Sequence, residues 1–555
     1  MPQPSKRRLL QFLMKGLTDV DSLKYQKLSH SLFPILLIGT IVAIGHFVAT
    51  AGVLLVPREF PFGFIEVLPP QYWLAVGMTL CLLFVSLSSG DIAYLWISSL
   101  LLIVLVPSLG SLVRSYPIDL FGVFASERIL SSGGFSIADN LFLNFPGSTI
   151  IFSILVAVTS ASSLAAARAF GLVYNAILGS LSYVFFRWLG INPRGSVLAM
   201  LVFVLSFYMQ GVLISSSLMG MIFYVAITAV VFANPNIVAS GVRTFLLVLL
   251  FTAMIVSHAF SPFMTVAAMI TSLVGWKYAD GLVRKLNFRR LFGDPPPTSP
   301  SILVPFIIIL AAYWMYFASL IFTWGAMRLK SFDLTGILRG AASPLVSPGT
   351  IYASSYSHLA TLYAPLLFTV LAVYLLACYD RRKLPLVLWL LGLAGTVVLA
   401  LGGYLQEFFA RIFSFATLIL CYSVAMLFAS NRVWLRRVAI IALLAALCLH
   451  LPAHYGQDSF LAVRETTVQG AKFIAGQPFS NETVDTIYSH VIYQSGEPLS
   501  LRSESLFTLS YQTENWVAYT EGDLALQGLR GRLRSTSYDR LYSNGSFDTY
   551  LPSMH

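Results

Sequence analysis

What most constrains this chain is a run of about twenty apolar residues that recurs along nearly its whole length, at 33–56, 72–88, 91–113, 147–166, 169–188, 196–213, 215–233, 242–259, 262–279, 302–324, 358–379, 384–402, 409–430 and 435–452. Each run holds 17–24 residues, the length that crosses a hydrocarbon layer of ~30 Å as a helix. A membrane β-barrel would show shorter segments of about 10 residues with alternating polarity. Lipid offers backbone groups no partners, so the runs must pair their own peptide groups as helices. Composition agrees. Of 555 residues, 57% are hydrophobic and 11% charged, where soluble domains carry about 25% charged residues. The sequence therefore predicts an all-α polytopic membrane protein for residues 1–452.

The net charge of +11 does not point to nucleic acid, because the cations sit in short loops between apolar runs. That is the positive-inside pattern. Lys6, Arg7, Arg8, Lys15, Lys24 and Lys27 precede the first run, which is too long for a signal-peptide core and reads as an uncleaved span. Four further groups belong on the same side: Arg187 with Arg194, Arg284 to Arg290, Arg381 to Lys383, and Arg432 with Arg436 and Arg437. All groups share one side only if 147–166 lies on or dips into the outer face. That leaves about 13 spans, a cytoplasmic N-terminus and an external tail at 453–555. Fusing 72–88 with 91–113 is the competing repair, and it puts the 114–146 loop inside. Cys81, Cys378, Cys421 and Cys448 fall within predicted spans and read as buried apolar residues without disulfides.

With this topology the outer face carries few polar side chains. The loop 114–146 begins RSYPIDLFGVFASERIL. Ile118, Leu120, Phe121 and Phe124 can face lipid while Asp119, Glu127 and Arg128 face water or protein, the pattern of a surface helix. An SSGGFSIADN turn follows. The loop 325–357 is rich in Ser, Gly and Pro and contains Arg328, Lys330, Arg339, Tyr352 and Tyr356. Arg58 with Glu59, His258 in SHAFSPF, and Glu407 with Arg411 in QEFFAR complete the set. In the tail, VQGAKFIAG reads as a helix, and Asn544-Gly545 between apolar alternations reads as a hairpin turn. The tail also holds two Asn-x-Ser/Thr triplets, at Asn481 and Asn544. A small external α/β domain is expected there.

In order and topology these stretches resemble the GT-C superfamily of polytopic glycosyltransferases. The resemblance rests on YPIDLFGVFASERILSSGGF with NFPGSTIIFSIL, then AAARAFGLVYNAILGSLSYVFFRWLG, VSHAFSPFM and QEFFARIFSF. It covers most of the chain without one exclusive motif. It implies transfer of a sugar from a polyprenyl- or dolichyl-phosphate donor to a glycan, lipid or protein acceptor at the outer face, with no separate cofactor. The chain departs from the oligosaccharyltransferase type. No second acid accompanies Asp119, no acid lies near Gln210 and Gly211, and the tail has no WWD-like motif.

Such a reaction needs a base for the acceptor hydroxyl and cations or hydrogen-bond donors for the leaving phosphate. Asp119 is the candidate base, with Glu59 and Glu407 behind it. As a first-turn acid, Asp119 could equally serve its helix dipole. Arg411 is the first candidate for phosphate, since a cation at the outer start of a span must face protein, headgroup or substrate. Arg328, Arg339 and Tyr352 belong to a loop that reads as a binding segment or a connector. His258 reads as a helix-terminal residue or a substrate contact. No zinc spacing, phosphate loop or Ser/His/Asp pattern is present. A lone Asp makes no cage for magnesium, so metal-independent chemistry is expected. Three rival classes remain: a secondary transporter, an O-antigen ligase or polymerase, and a non-catalytic relative.

Overall fold

Every one of these apolar runs contains a helix in the computed structural model. It describes residues 23–51, 64–89, 91–109, 126–133 apart from 128 and 132, 145–206, 216–233, 239–285, 300–318, 354–377, 384–400, 405–455, 483–485, 500–502, 516–520, 538–543 and 547–552. The helices are α1 (Leu23–Ala51), the short α2 (Phe64–Val67), α3 (Pro70–Ser89), α4 (Ile92–Leu105), α5 (Gly147–Thr159), α6 (Ser163–Trp188), α7 (Pro193–Ser206) and α8 (Ser216–Phe232). They continue with α9 (Ser240–Ser257), α10 (Ser261–Lys285), α11 (Pro300–Tyr316), α12 (Ser354–Ala377), α13 (Leu384–Ala400), α14 (Leu405–Ala429) and α15 (Val433–Tyr455). Six of these, α1, α3, α6, α9, α14 and α15, contain stretches long and apolar enough to cross a membrane. The chain is a multi-pass membrane protein.

The bundle is organised around α7, which is buried at every position from Gly195 to Ser206. It packs against α4, α6, α14 and α15. Buried aromatic groups tie neighbouring helices together with directed bonds. Trp389 Nε1 of α13 donates to the Tyr224 hydroxyl of α8 at 3.1 Å, which donates to the Phe415 carbonyl of α14 at 3.2 Å. A buried hydroxyl without such a partner would cost about 1–3 kcal/mol.

Three helix ends show how the cations are used. Arg187 donates to the Ile191 carbonyl just past α6, Arg243 to the Val231 carbonyl at the end of α8, and Arg436 Nε to the Ser430 carbonyl just past α14 at 2.7 Å. C-terminal carbonyls lack helical partners and carry the negative end of the dipole, so a guanidinium satisfies both needs. Phe185 and Phe232 stack edge-to-face at 6.4 Å, and Gly195 lies against the Ala425 carbonyl. These contacts put the three capped ends together at one end of the bundle, and two of the three arginines, Arg187 and Arg436, belong to groups that the charge pattern had assigned to one side.

α5 turns back at the opposite end. Its 13 residues span about 20 Å, short of a full crossing. Ser160 takes a left-handed φ of 53°, and the Ser162 hydroxyl accepts from Ala165 N at 3.2 Å to start α6. Phe152 meets Phe170 edge-to-face at 6.0 Å, so α5 and α6 form a helical hairpin.

Two details correct the sequence reading. The run 91–113 was expected as one helix, but α4 ends at Leu105 in a turn over Val106 to Ser108. Pro107 lacks the N–H that another helical turn needs. Tyr72 of α3 donates to the buried carbonyl of Leu105, the last residue of α4, at 3.1 Å. Cys81 and Cys448 are exposed rather than buried, unlike Cys421. In a membrane protein an apolar surface faces lipid, so apolar character does not imply burial.

The described tail residues form one five-stranded sheet from β1 (Thr483–Asp485), β2 (Ser500–Arg502), β3 (Trp516–Thr520), β4 (Tyr538–Ser543) and β5 (Phe547–Pro552), in the order β2-β1-β3-β5-β4. β1 runs parallel to β2 and β3. β5 is antiparallel to both β3 and β4. The β4–β5 pair flanks Asn544-Gly545, where the sequence predicts a hairpin. The helix expected at 468–476 lies outside the described residues.

Candidate functional site

At the end of the bundle opposite the capping arginines, four chain segments converge on His258. α9 stops there because His258 is extended, with φ −152° and ψ 136°. Three residues later α10 begins, with Pro262 in its first turn, where no helical N–H is required. The His258 side chain serves that new helix. Ser261 N donates to His258 Nδ1 at 3.2 Å, and Ser261 Oγ lies 2.6 Å from the same nitrogen. A backbone N–H can only donate. Nδ1 is therefore the acceptor, the Ser261 hydroxyl also donates to it, and the ring proton sits on Nε2. His258 is 4% exposed and Ser261 0%.

Two glycines let neighbouring helices reach this pair. A Cβ on Gly220 of α8 would collide with Ser261 Oγ and come within 2.9 Å of both Cβ and Nδ1 of His258. A Cβ on Gly147, the first residue of α5, would collide with Ser257 Oγ and stand 3.0 Å from its Cα. Only glycine permits both approaches without movement. Beside them lies an aromatic group. Phe145 is 5.9 Å from Tyr313 and 6.4 Å from Trp314, and Phe263 meets Trp314 edge-on at 4.6 Å. The Trp314 indole N–H is buried with no hydrogen-bond partner among the described residues, so it is a donor that a ligand could take up. A helical turn near 126–131 is fixed to this side of the molecule by Ser153 Oγ donating to Ser126 Oγ at 3.0 Å.

The structure brings one more predicted segment to this depth. Glu407 and Arg411 lie in the first two turns of α14. Phe415 packs edge-on against Tyr224 at 4.6 Å, and α8 and α14 run in the same direction. Gly220 precedes Tyr224 by one turn, as Arg411 precedes Phe415. The Arg411 backbone is therefore level with Gly220, and so with the His258–Ser261 pair. Side chains of Glu407 and Arg411 are not among those described. Asp119, Arg328, Arg339 and Tyr352, along with Glu59, lie outside the described residues altogether.

Sequence reasoning had singled out His258 but missed Ser261, Gly220 and Gly147. The spacing His-x-x-Ser was legible, because a side chain three residues ahead of a helix start commonly meets its first N–H groups. The glycines act across helices, and nothing local marks them. Ser261→Ala is expected to remove about 1 kcal/mol of stability, since the backbone N–H still holds Nδ1. Gly220→Val should cost more, about 1–3 kcal/mol by overpacking. Thermal unfolding of the purified protein followed by tryptophan fluorescence will rank them. An order with Ser261→Ala as the worse of the two would contradict this packing.

By structure the chain is similar to the Archaeoglobus fulgidus oligosaccharyltransferase in complex with zinc and sulfate, at 14% identity over 82% of this chain and 73% of that one, with a TM-score of 0.47. It is similar to ArnT from Cupriavidus metallidurans bound to undecaprenyl phosphate, at 11% identity over 83% and 98% of the two chains, with a TM-score of 0.46. It is also similar to the arabinofuranosyltransferase AftD from Mycobacteria, at 13% identity over 84% of this chain and 40% of that one, with a TM-score of 0.46. All three are GT-C membrane glycosyltransferases, the superfamily that the sequence resembles. No family model and no curated protein matches the chain by sequence. None of the three superposes closely enough to stand in for this chain, whose function is read below from its own residues.

Proposed function

We propose that this chain is a membrane glycosyltransferase of the GT-C type, moving a sugar from a polyprenyl-phosphate donor to an acceptor hydroxyl at the outer face. One observation carries the reading. Three of the stretches that resemble the superfamily, 145–147, 257–261 and 406–411, are far apart in sequence yet reach the same end of the bundle, the first two close together at Gly147 and Ser257 and the third with the Arg411 backbone level with Gly220. The proposed topology has about 13 spans, with α5 as a non-crossing hairpin arm. The N-terminus and the arginine-capped helix ends face the cytoplasm. The tail, 453–555, forms an external domain.

In the proposed reaction Asp119 takes the proton of the acceptor hydroxyl. The acceptor oxygen bonds to the anomeric carbon as the bond from that carbon to the phosphate oxygen breaks. The electron pair leaves with the polyprenyl phosphate, whose charge Arg411 receives, helped by Arg328 and Arg339 from the 325–357 loop. Inversion at the anomeric carbon follows from single displacement. His258 presents a neutral-ring N–H donor, and Trp314 with Tyr352 offers aromatic faces and a second donor for the sugar. Side chains alone supply this chemistry, so no metal is assigned a step. The sugar and the acceptor are left open by this reading.

The test uses purified full-length protein in lipid nanodiscs with radiolabelled sugars on polyprenyl phosphate, plus a cell-envelope extract as acceptor. Loss of label from the lipid into a new product, together with release of polyprenyl phosphate, is expected. Label that stays on every lipid donor offered, with well-folded protein, would overturn the reading.

A further inference from the structure

The end of the bundle that carries His258 also holds an enclosed donor with nothing to bond. Trp314 lies in the last turn of α11, and its ring is half-buried. Its indole N–H is fully enclosed and meets no hydrogen-bond partner among the described residues. An indole N–H can only donate, so its partner must supply an acceptor such as oxygen. The Tyr313 carbonyl at this end of α11 is already taken, accepting from Phe317 N at 2.8 Å and Ala318 N at 3.0 Å. The neighbouring rings of Phe145 at 6.4 Å and Phe263, edge-on at 4.6 Å, carry no acceptor. A tryptophan that merely anchors a helix at the membrane boundary keeps its N–H among water and headgroups. This one is shut away from both, at a standing cost in stability.

The chemistry of the surroundings selects the kind of oxygen. The rings beside Trp314 are uncharged, and α11 has no charged residue anywhere along its length. A phosphate brought here would need cations beside it. A sugar hydroxyl is uncharged and accepts from a neutral donor without that requirement. His258 is fixed as a donor at the same end: Ser261 N and Ser261 Oγ both donate to its Nδ1, which leaves the ring proton on Nε2. Of the two phenylalanines against Trp314, Phe145 is 4% exposed and Phe263 is 40% exposed. Phe263 is therefore the ring that can turn aside to admit a ligand atom, whereas Phe145 is held by its packing.

We propose that Trp314 is a specificity-determining residue for the transferred sugar, its indole N–H standing unpaired in the free protein and donating to one sugar hydroxyl once Phe263 turns aside. The inference rests on the glycosyltransferase reading and narrows it, because it gives this position to the sugar and leaves the phosphate to Arg411. The bond made on binding relieves the enclosed donor. A lipid donor whose sugar carries the hydroxyl therefore gains over bare lipid phosphate, which leaves the N–H unpaired.

The test labels the indole nitrogens of the full-length protein in lipid nanodiscs and follows their N–H signals by NMR. The chain has 9 tryptophans, so the spectrum is sparse, and the Trp314 signal is assigned by its loss in Trp314→Phe. Polyprenyl phosphate bearing mannose, glucose, galactose or arabinose is titrated in, with bare polyprenyl phosphate in parallel. The Trp314 proton is expected to move downfield with at least one sugar-bearing lipid and to stay in place with the bare lipid. A shift with bare polyprenyl phosphate would assign the N–H to phosphate and overturn the inference. Shifts at other tryptophans with Trp314 unmoved would overturn it too, while leaving the glycosyltransferase reading intact. A spectrum that none of the lipids changes would overturn both. Trp314→Phe keeps an aromatic ring and removes the donor. It should weaken binding of the responding sugar-bearing lipid about ten-fold, one hydrogen bond's worth, and leave binding of the bare lipid unchanged. Equal weakening of both lipids, or of neither, would make Trp314 a packing residue and reject the assignment.

Discussion

Replacing Asp119 by Asn is expected to lower sugar transfer by about 10²-fold or more, with expression, membrane insertion and thermal unfolding unchanged. The substitution is chosen because it separates the two roles open to this residue. As the first acid of a surface helix, Asp119 would serve mainly as a cap, and Asn caps a helix about as well. As a base, Asp119 must accept a proton, which an amide cannot do at neutral pH. Turnover is the readout, measured as polyprenyl phosphate released per protein in nanodiscs. Activity within a few-fold of wild type would assign Asp119 to the helix start and move the base to Glu407 or Glu59. Binding of the lipid donor should survive the substitution, because the phosphate is assigned to Arg411 and the 325–357 loop. A variant that loses donor binding as well as turnover would count against that division of labour.

Residues whose role is set by their own segment were legible, and those set by distant partners were not. All the helical runs could be read because the bilayer demands about twenty apolar residues wherever a chain crosses it. The early end of α4 was missed, although its cause is local, since Pro107 stands in the sequence as a stop. In the tail, Asn544-Gly545 announced the β4–β5 pair. The parallel pairing of β1 with β2 and β3 could not be read, because parallel strands join through long connections and their partners are set by tertiary packing. The site divides the same way. His258 was visible as a lone polar residue at the mouth of an apolar run, whereas Ser261, three residues on, was missed although its role is local. Gly147 and Gly220 matter only because α9 and the start of α10 press against them. The level position of Arg411 and His258 follows from the Tyr224–Phe415 contact, which joins residues 191 positions apart.

A second substitution far from any charged residue is expected to disable the protein through packing alone. Gly392 of α13 faces α10 so closely that a Cβ there would lie 2.7 Å from the Ala268 Cα and 2.9 Å from both the Ala267 carbonyl oxygen and the Thr271 Cβ. Ala267, Thr271 and Gly275 recur at four-residue spacing along the facing helix, and a Cβ on Gly275 would in turn lie 2.8 Å from Leu388. Small residues at this spacing let membrane helices approach backbone to backbone, where van der Waals contact replaces the hydrophobic effect. Gly392→Leu cannot be absorbed by rotating a flexible side chain, because the colliding atoms include backbone. α10 and α13 must separate, at a cost of about 3 kcal/mol, the upper end of ordinary overpacking. The displacement reaches the site, since α10 begins with Ser261 two turns before Ala268 and Ser261 holds His258. The expected result is a sharp fall in thermal stability and in yield of monodisperse protein, with transfer activity lost along with them. Leu391→Ala is the control. Leu391 is 56% exposed, so its truncation should leave stability within about 0.5 kcal/mol. Equal stability of Gly392→Leu and Leu391→Ala would show that α10 and α13 are not in backbone contact.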